Sequence, residues 1–210
     1  MEREIFSRTD KAFIAELPRF TFNGRIVVVC GETDANKAID ALRTMNLVGF
    51  DTETRPSFRP GKGHQVALLQ LSGKNVCFLF RLCRIGLPDC VVDFLSDERI
   101  RKIGLSLSDD FRALQRRRNF TPRGFIDLQN CAAELGIEDR SLQKLYANLF
   151  HRRISKSARL SNWEADVLSE SQQIYAATDA FACIDLYEEM GRLKDQRNFV
   201  VVKDAAPMPS

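Results

Sequence analysis

The chain has 210 residues, 44% of them hydrophobic and 28% charged, with a formal net charge of +3 at pH 7. This length and composition suffice for the core of one domain. The sequence has no run of about 18 or more apolar residues, and its N-terminus is charged, which argues against a membrane span and a signal peptide. We therefore expect a cytoplasmic protein with no membrane partner.

The first half of the chain favours strands. Residues 1–24 have no clear pattern and are interpreted as an irregular lead-in. The following residues predict a strand at Arg25–Cys30, a helix at Asp34–Met45, a strand at Leu47–Glu53, and a hairpin of strands at Gln65–Ser72 and Asn75–Leu82. Thr33 is the expected cap of the helix. Prolines and glycines indicate a loop at Arg55–Gly63, directly after the second strand.

The second half favours helices. It predicts a helix at Leu87–Leu95, a strand at Ile100–Leu105, a helix at Asp109–Arg118, a strand at Phe125–Leu128, and helices at Leu128–Leu135, Leu142–Phe150 and Glu170–Leu193. Ser108 and Ser141 are expected helix caps, and Ser169 with Gln172 matches a capping box. Gly136 is expected to end the helix before it.

The order of these elements predicts the fold class. Strands come first, then mixed elements, then mainly helices, which is typical of an α/β fold with a mixed sheet. No repeat or linker divides the chain, so we expect a single domain at residues 25–193. Residues 194–210 are interpreted as a tail.

Cysteine and histidine usage limits the chemistry of the chain. The six cysteines form no Cys-x-x-Cys pair, and without a secretion signal we expect reduced, buried thiols rather than a disulfide framework. The two histidines give no zinc-finger spacing. Any metal is therefore expected to bind to carboxylates.

An apolar run at the centre of the first half ends in two acids, Asp51 and Glu53. Alternate side chains of a strand point to the same face, so these two carboxylates would project together. Like charges this close stay ionised only beside a positive charge, and a divalent cation is the usual partner. The other interpretation of this stretch is a strand that runs into an acidic, solvated turn.

The last predicted helix carries Tyr175 and Asp179, which are four residues apart and therefore share one face. A lone tyrosine in this position is more often a core residue. Two adjacent acids, Asp109 and Asp110, stand at the start of an earlier helix, and either one is a candidate for a site.

Three stretches combine these acids in one order with wide spacing: Leu47–Thr54, Lys102–Leu114 and Tyr175–Phe181. Together they resemble the exonuclease motifs of the DEDD superfamily. The tyrosine before the last aspartate resembles the DEDDy branch, which includes ribonuclease D and the Werner-type exonuclease domain. The resemblance covers residues 25–193 and implies a ribonuclease H-like fold: a mixed sheet flanked by helices.

The resemblance implies a metal-dependent 3′–5′ exonuclease that releases nucleoside 5′-monophosphates by a two-metal mechanism. Asp51, Glu53, Asp110 and Asp179 would hold two divalent cations, Mg²⁺ or Mn²⁺, and Asp51 would bridge them. Tyr175 would orient or deprotonate the attacking water, and orientation is favoured because the ordinary tyrosine pKa is about 10. No organic cofactor is implied.

Within the acidic pair, the resemblance favours Asp110 over Asp109. The motif aspartate of the family is followed four residues later by an apolar residue, which is Leu114 for Asp110 but only Ala113 for Asp109. The distance from Gly104 also matches Asp110.

The implied partner is a single-stranded or frayed 3′ end, with DNA favoured over RNA. Thr52, Phe58, Arg152, Arg153 and Lys156 are candidate nucleic-acid contacts, Phe58 by stacking and the three cations through phosphates. Loop packing for Phe58 and ordinary solvated surface for the basic residues remain alternatives. The only Trp, at 163, is interpreted as a core residue.

A second functional hypothesis is a catalytically silent nucleic-acid-binding or scaffolding protein on the same fold. Inactive relatives usually lose an acid. All five expected residues of the motifs are present here, which argues against this hypothesis.

Overall fold

A computed structural model describes residues 2–57 and 63–204. Its strands are β1 (Arg3–Arg8), β2 (Arg19–Phe20), β3 (Arg25–Val29), β4 (Leu47–Thr54), β5 (Val66–Ser72), β6 (Val76–Phe80), β7 (Arg101–Gly104), β8 (Phe125–Asp127), β9 (Arg153–Ile154) and β10 (Phe199–Asp204). Its helices are α1 (Lys11–Glu16), α2 (Glu32–Arg43), α3 (Leu82–Ile85), α4 (Asp89–Leu95), α5 (Leu107–Gln115), α6 (Leu128–Glu134), α7 (Leu142–Phe150) and α8 (Glu170–Gln196).

The central sheet has six strands in the order β3-β6-β5-β4-β7-β8. Strands β4, β5 and β6 form an antiparallel meander, whereas β7 and β8 continue parallel to β4, and β3 lies parallel to β6. The predicted mixed sheet and its hairpin are confirmed. Strand β4, which ends in the two acids, therefore lies inside the sheet.

Helices cover both faces of the sheet. On one face, β4 packs through Val48 and Phe50 into a core that includes buried residues of α2, α4 and α5. On the other face lies α8, and Gly49 allows its close approach, because a Cβ at Gly49 would lie 1.9 Å from the carbonyl oxygen of Ala180. Helix α8 therefore packs directly against β4, the strand that carries the two acids.

The two ends of the chain are more regular than the sequence suggested. Strands β1 and β10 pair in parallel, and the buried amide of Asn148 accepts from the N–H of Phe6 and donates to its carbonyl. Strand β2 pairs with β9. The lead-in was wrongly predicted to be irregular, since it contains β1, α1 and β2, and the predicted tail contains β10. The short strands gain their structure from partners far away in the chain. The domain boundaries at 25 and 193 remain a prediction.

Two predicted helix caps were also wrong. Helix α2 begins with Gly31 as its cap, so Thr33 lies inside the first turn beside Glu32, whose charge suits a helix N-terminus. Helix α5 has Ser106 as its cap, so Ser108 is helical. The orphan N–H groups there find a distant acceptor instead, since Ser106 and Leu107 donate to the carboxylate of Asp127 at 3.1 and 3.0 Å.

Other local predictions match the structure. The capping box of Ser169 and Gln172 is present at the start of α8, and Ser141 is the cap of α7. Gly136 follows α6 with a φ of +78°, a conformation that favours glycine. The predicted strand Asn75–Leu82 is shorter, because Leu82 begins α3.

The cysteines are all free thiols, as expected. Cys77 and Cys183 are buried, but Cys30 and Cys83 are exposed, so the expectation of burial was wrong for these two. None of the helices in the described part of the chain has the length and hydropathy needed to cross a bilayer.

Candidate active site

Strand β4 presents two acids to helix α8. Gly49 lies under the backbone of α8, and the strand alternation places Asp51 and Glu53 on that same face. Phe50, which lies between Gly49 and Asp51, points into the core on the other face of the sheet. Asp51 is partly buried and Glu53 is only 9% exposed, so both carboxylates are largely removed from water.

Helix α8 supplies the third acid, Asp179, which is 9% exposed. Carboxylate oxygens of Asp51, Glu53 and Asp179 all lie within 4.8 Å of one another. Asp179 is more than a hundred positions away from Asp51 and Glu53 in the sequence, and the packing of α8 on β4 brings it to them. Such a cluster of oxygens is suited to a hard divalent cation.

Asp110 reaches this cluster from α5. Its Oδ1 accepts a hydrogen bond from the hydroxyl of Thr52, and its charge raises the pKa of both Asp51 and Glu53. The neighbouring Asp109 instead forms an exposed ion pair with Arg112. The structure therefore brings Asp110, and not Asp109, to the acids of β4 and α8.

The four acids resist ionisation in the absence of a cation. Burial is the main cause in each case, and it raises the pKa of Asp51 well above its ordinary range and that of Glu53 to about 9. Mutual repulsion adds to both shifts. Burial raises the pKa of Asp110 to about 6 and that of Asp179 to about 7. A bound positive charge would reverse these effects.

Tyr175 lies one helical turn before Asp179, and the charge of that carboxylate acts on its phenol. Burial, followed by the charges of Asp179 and Glu53, raises the pKa of the phenol above its ordinary value. The tyrosine is therefore a protonated hydrogen-bond donor near neutral pH. Its ring lies 6.0 Å from that of Trp163, which is fully buried, as expected of a core residue.

Two cations approach the acids from the segment between β9 and α8. The charge of Lys156 lowers the pKa of Asp179, and that of Arg159 lowers the pKa of Glu53. Ala158 between them is buried in the same apolar cluster as Trp163 and so fixes the turn. Both cations are exposed.

Sequence reasoning did not select Arg159 as a site residue. It belongs to a basic cluster that begins at His151, and nothing local distinguishes it from the other cations there. Only its position near Glu53 in the folded structure distinguishes Arg159 from those cations.

The remaining predicted contacts lie elsewhere or are already engaged. Arg153 donates from Nε to the carbonyl of Leu17 at 2.9 Å, so it holds the N-terminal segment. The charge of Arg152 acts on Tyr146, away from the four acids. The structure therefore does not bring either arginine to the cluster. Phe58 lies outside the described residues.

Comparisons with known proteins agree on one family. A family model described as 3′–5′ exonuclease matches residues 26–194. The chain is 32% identical over 189 residues to the mouse bifunctional 3′–5′ exonuclease/ATP-dependent helicase WRN, which covers 85% of this chain and 14% of the relative. It is 29% identical over 162 residues to DNA polymerase I of Aquifex aeolicus (strain VF5), which covers 77% of this chain and 26% of the relative. The chain thus spans a minor part of either relative.

Among solved structures, the EXO domain of Aedes aegypti Nibbler is similar with a TM-score of 0.77 at 18% identity, over 86% of this chain and 94% of that one. At this identity the likeness concerns the fold alone. It confirms the predicted ribonuclease H-like architecture.

Proposed function

Because the chain belongs to the DEDD family of 3′–5′ exonucleases, which act on nucleic acids, we propose that it removes nucleotides one at a time from the 3′ end of DNA. The products are nucleoside 5′-monophosphates. The proposal goes beyond family membership in three respects: the residues that act, the cations they hold and the choice of DNA over RNA.

The observation that carries the proposal is the cluster of three carboxylates, Asp51, Glu53 and Asp179, with the carboxylate of Asp110 beside it. Oδ1 of Asp179 is buried and has no hydrogen-bond partner in the described part of the chain, although it lies beside two other acids. A buried carboxylate oxygen without a donor is costly unless a cation accompanies it. The donor set, all carboxylate oxygen, suits Mg²⁺ or Mn²⁺.

We assign Asp51, Glu53, Asp110 and Asp179 as the residues that hold two such cations. When bound, a pair of divalent cations lowers the pKa of a water molecule and neutralises the charge that develops on the phosphate. Thr52 keeps Asp110 oriented through its hydroxyl. The carboxylates thus fix where hydrolysis takes place.

In the reaction, the oxygen of a water molecule bonds to phosphorus. The bond from phosphorus to the 3′ oxygen of the preceding nucleotide breaks, and the proton that the water loses ends on that oxygen. Tyr175, which stays protonated, positions the attacking water rather than accepting its proton. Its position one helical turn before Asp179 puts the phenol beside the same cluster.

Lys156 and Arg159 are proposed to contact phosphates of the 3′-terminal strand. Both are exposed, both lie within electrostatic range of the acids, and the buried Ala158 fixes the turn that carries them. A phosphate between these two side chains and the divalent cations that the acids would hold would meet positive charge on two sides. Stacking on Phe58 and a peripheral contact by Arg152 remain predictions from the sequence.

The choice of DNA rests on the match to DNA polymerase I, whose name states its nucleic acid. RNA is the alternative substrate, and the experiment compares the two.

The test uses 5′-labelled single-stranded and 3′-recessed DNA, with matching RNA, incubated with Mg²⁺, Mn²⁺ or chelator. We expect a ladder that shortens from the 3′ end of DNA, and we expect chelator or Asp51→Ala to abolish it. Asp109→Ala, which alters the neighbouring exposed acid, is the matched control and should remain active. Intact substrates together with retained binding would instead favour a catalytically silent nucleic-acid-binding protein.

A further inference from the structure

Gln70 is a fully buried polar side chain next to the proposed active site. It lies on β5, its exposed fraction is 0%, and neither Nε2 nor Oε1 has a hydrogen-bond partner within residues 2–57 and 63–204. Buried amides are nearly always hydrogen-bonded, because an unpaired one loses its interactions with water and gains nothing in return. We therefore expect the amide of Gln70 to form a hydrogen bond in another state of the protein.

The register of the sheet indicates which partner that is. Gln70 stands directly opposite Asp51 in the antiparallel ladder of β4 and β5. Directly opposite residues share a face, and their Cβ atoms lie about 4.5–5.5 Å apart. The amide of Gln70 and the carboxyl of Asp51 are thus neighbours on the face that α8 covers.

The other surroundings of Gln70 are apolar or already engaged. Its ladder neighbour on β6 is Leu79, which belongs to an apolar cluster with the alanines of α8. Ser72, two residues away on the same face, donates its hydroxyl to the carbonyl of Gly73 at 2.9 Å. Among the side chains directly opposite Gln70 in the two ladders, only that of Asp51 is polar.

We infer that Gln70 is a positioning residue for Asp51: its amide N–H donates to the Asp51 carboxylate when that carboxylate holds a divalent cation. This inference rests on the proposed function, since it needs Asp51 to be a metal ligand. Carboxylates that bind a metal are usually hydrogen-bonded by neighbouring groups, so the cation-bound state supplies the partner that the amide lacks. Gln70 touches neither substrate nor water in this role.

The experiment measures Mn²⁺ binding to the full chain by isothermal titration calorimetry, with Gln70→Met as the variant. Methionine keeps nearly the same length and volume but cannot donate to a carboxylate. Groups that orient metal ligands typically change metal affinity by 10- to 100-fold, so we expect the Kd for Mn²⁺ to rise by about that factor. We also expect excess Mn²⁺ to restore most of kcat, because the ligand set itself is intact.

A structural role alone would give a different result. Replacing an unpaired buried amide by an apolar side chain should raise the Tm of the cation-free protein, whether or not Gln70 positions Asp51. The change in Mn²⁺ affinity is the readout that separates the two roles. Ser72→Ala is the matched control, because Ser72 lies on the same face of β5 but stands opposite Gly49, and its Mn²⁺ affinity should equal that of wild type.

Wild-type affinity for Mn²⁺ in Gln70→Met overturns the inference. If that variant fails to fold, Gln70→Leu takes its place under the same criterion. Failure of the proposed function is distinguishable, because wild type itself would then bind no Mn²⁺ at the acids and Asp51→Ala would bind as wild type does.

Discussion

The hydroxyl of Thr52 donates a hydrogen bond to Oδ1 of Asp110, and this contact joins strand β4 to helix α5 at the edge of the acidic cluster. Thr52 lies between Asp51 and Glu53 in the sequence, but strand alternation turns it toward the other face of the sheet. The same short strand thus supplies two of the acids and orients a third. This hydrogen bond lowers the pKa of Asp110, whereas burial raises it.

Thr52→Val should reduce exonuclease activity by about tenfold at neutral pH, because the shape is kept while Asp110 loses its donor. Without the bond, the pKa of Asp110 rises further, so the loss should be greater at lower pH. Rates measured from pH 6 to pH 8 check this. Thr54→Val, at the end of the same strand, should behave as wild type, and an equal loss in both variants would contradict the assignment.

Asp110→Asn should lower the rate at saturating substrate by at least about 100-fold, whereas Asp109→Asn should change it less than about twofold. The reason is that Asp110 lies at the cluster and Asp109 pairs with Arg112 at the surface. Single-turnover rates of the two variants give the comparison. The reverse order of effects would show that the wrong acid was chosen.

Divalent cations should stabilise the protein. A ligand at about 100 times its Kd adds about 2.7 kcal/mol to the free energy of unfolding, which for a chain of this size raises Tm by roughly 5 to 11 °C. Scanning calorimetry with chelator and with Mn²⁺ measures the shift.

Asp179→Asn should change both the Tm of the cation-free protein and the response of Tm to Mn²⁺. Its cation-free form should melt higher than wild type, because one of several repelling buried carboxylates is neutral, yet Mn²⁺ should shift its Tm very little. A full Mn²⁺ shift in this variant would remove Asp179 from the proposed ligands.

Lys102 should make stability depend on pH in the alkaline range. The side chain is fully buried, donates to the carbonyls of Phe94 and Asp97, and has a pKa lowered by burial from 10.5 to about 8. Between these two values the unfolded chain binds more protons than the folded one, so stability should rise with pH across this window, by at most about 3 kcal/mol.

Urea denaturation at pH 7.5, 9 and 10 tests this expectation. Lys102→Met should be more stable than wild type at pH 7.5, and its advantage should shrink as pH rises. Lys37→Met, at an exposed lysine of α2, controls for the loss of a surface charge. A constant difference between Lys102→Met and wild type would contradict the lowered pKa.

Arg159→Ala should raise KM for single-stranded DNA by about fivefold or more and weaken the dependence of binding on salt by about one phosphate contact. The variant should keep its fold, because the exposed guanidinium contributes little to the core. Arg152→Ala is the matched control from the same basic cluster, and KM measured at two salt concentrations separates them. Equal effects at both positions would indicate a diffuse basic surface rather than a contact near Glu53.

Sequence patterns were sufficient for most of the local structure. The apolar run of β4, the hairpin of β5 and β6, and the capping box of α8 all depend on neighbours within a few residues, so they were predicted correctly. The same holds for the placement of Asp51 with Glu53, and of Tyr175 with Asp179, because the periods of strands and helices fix which side chains share a face.

Local sequence patterns did not predict the contacts between distant segments. The pairing of β1 with β10 joins the two ends of the chain, and the cap of α5 uses a carboxylate from β8 rather than the nearby serine. In both cases the backbone groups need partners, but many segments could supply them. Only the packed fold selects one.

The sequence by itself determined that this chain carries the acids, the tyrosine and the order of motifs of a DEDD exonuclease. The tertiary structure decided that α8 packs on the acidic face of β4, that Arg159 lies near Glu53, and that Gln70 is buried opposite Asp51. The physical reason is that charge and burial act through space. A residue acquires its electrostatic surroundings from whatever the fold places beside it, and local sequence does not contain that information.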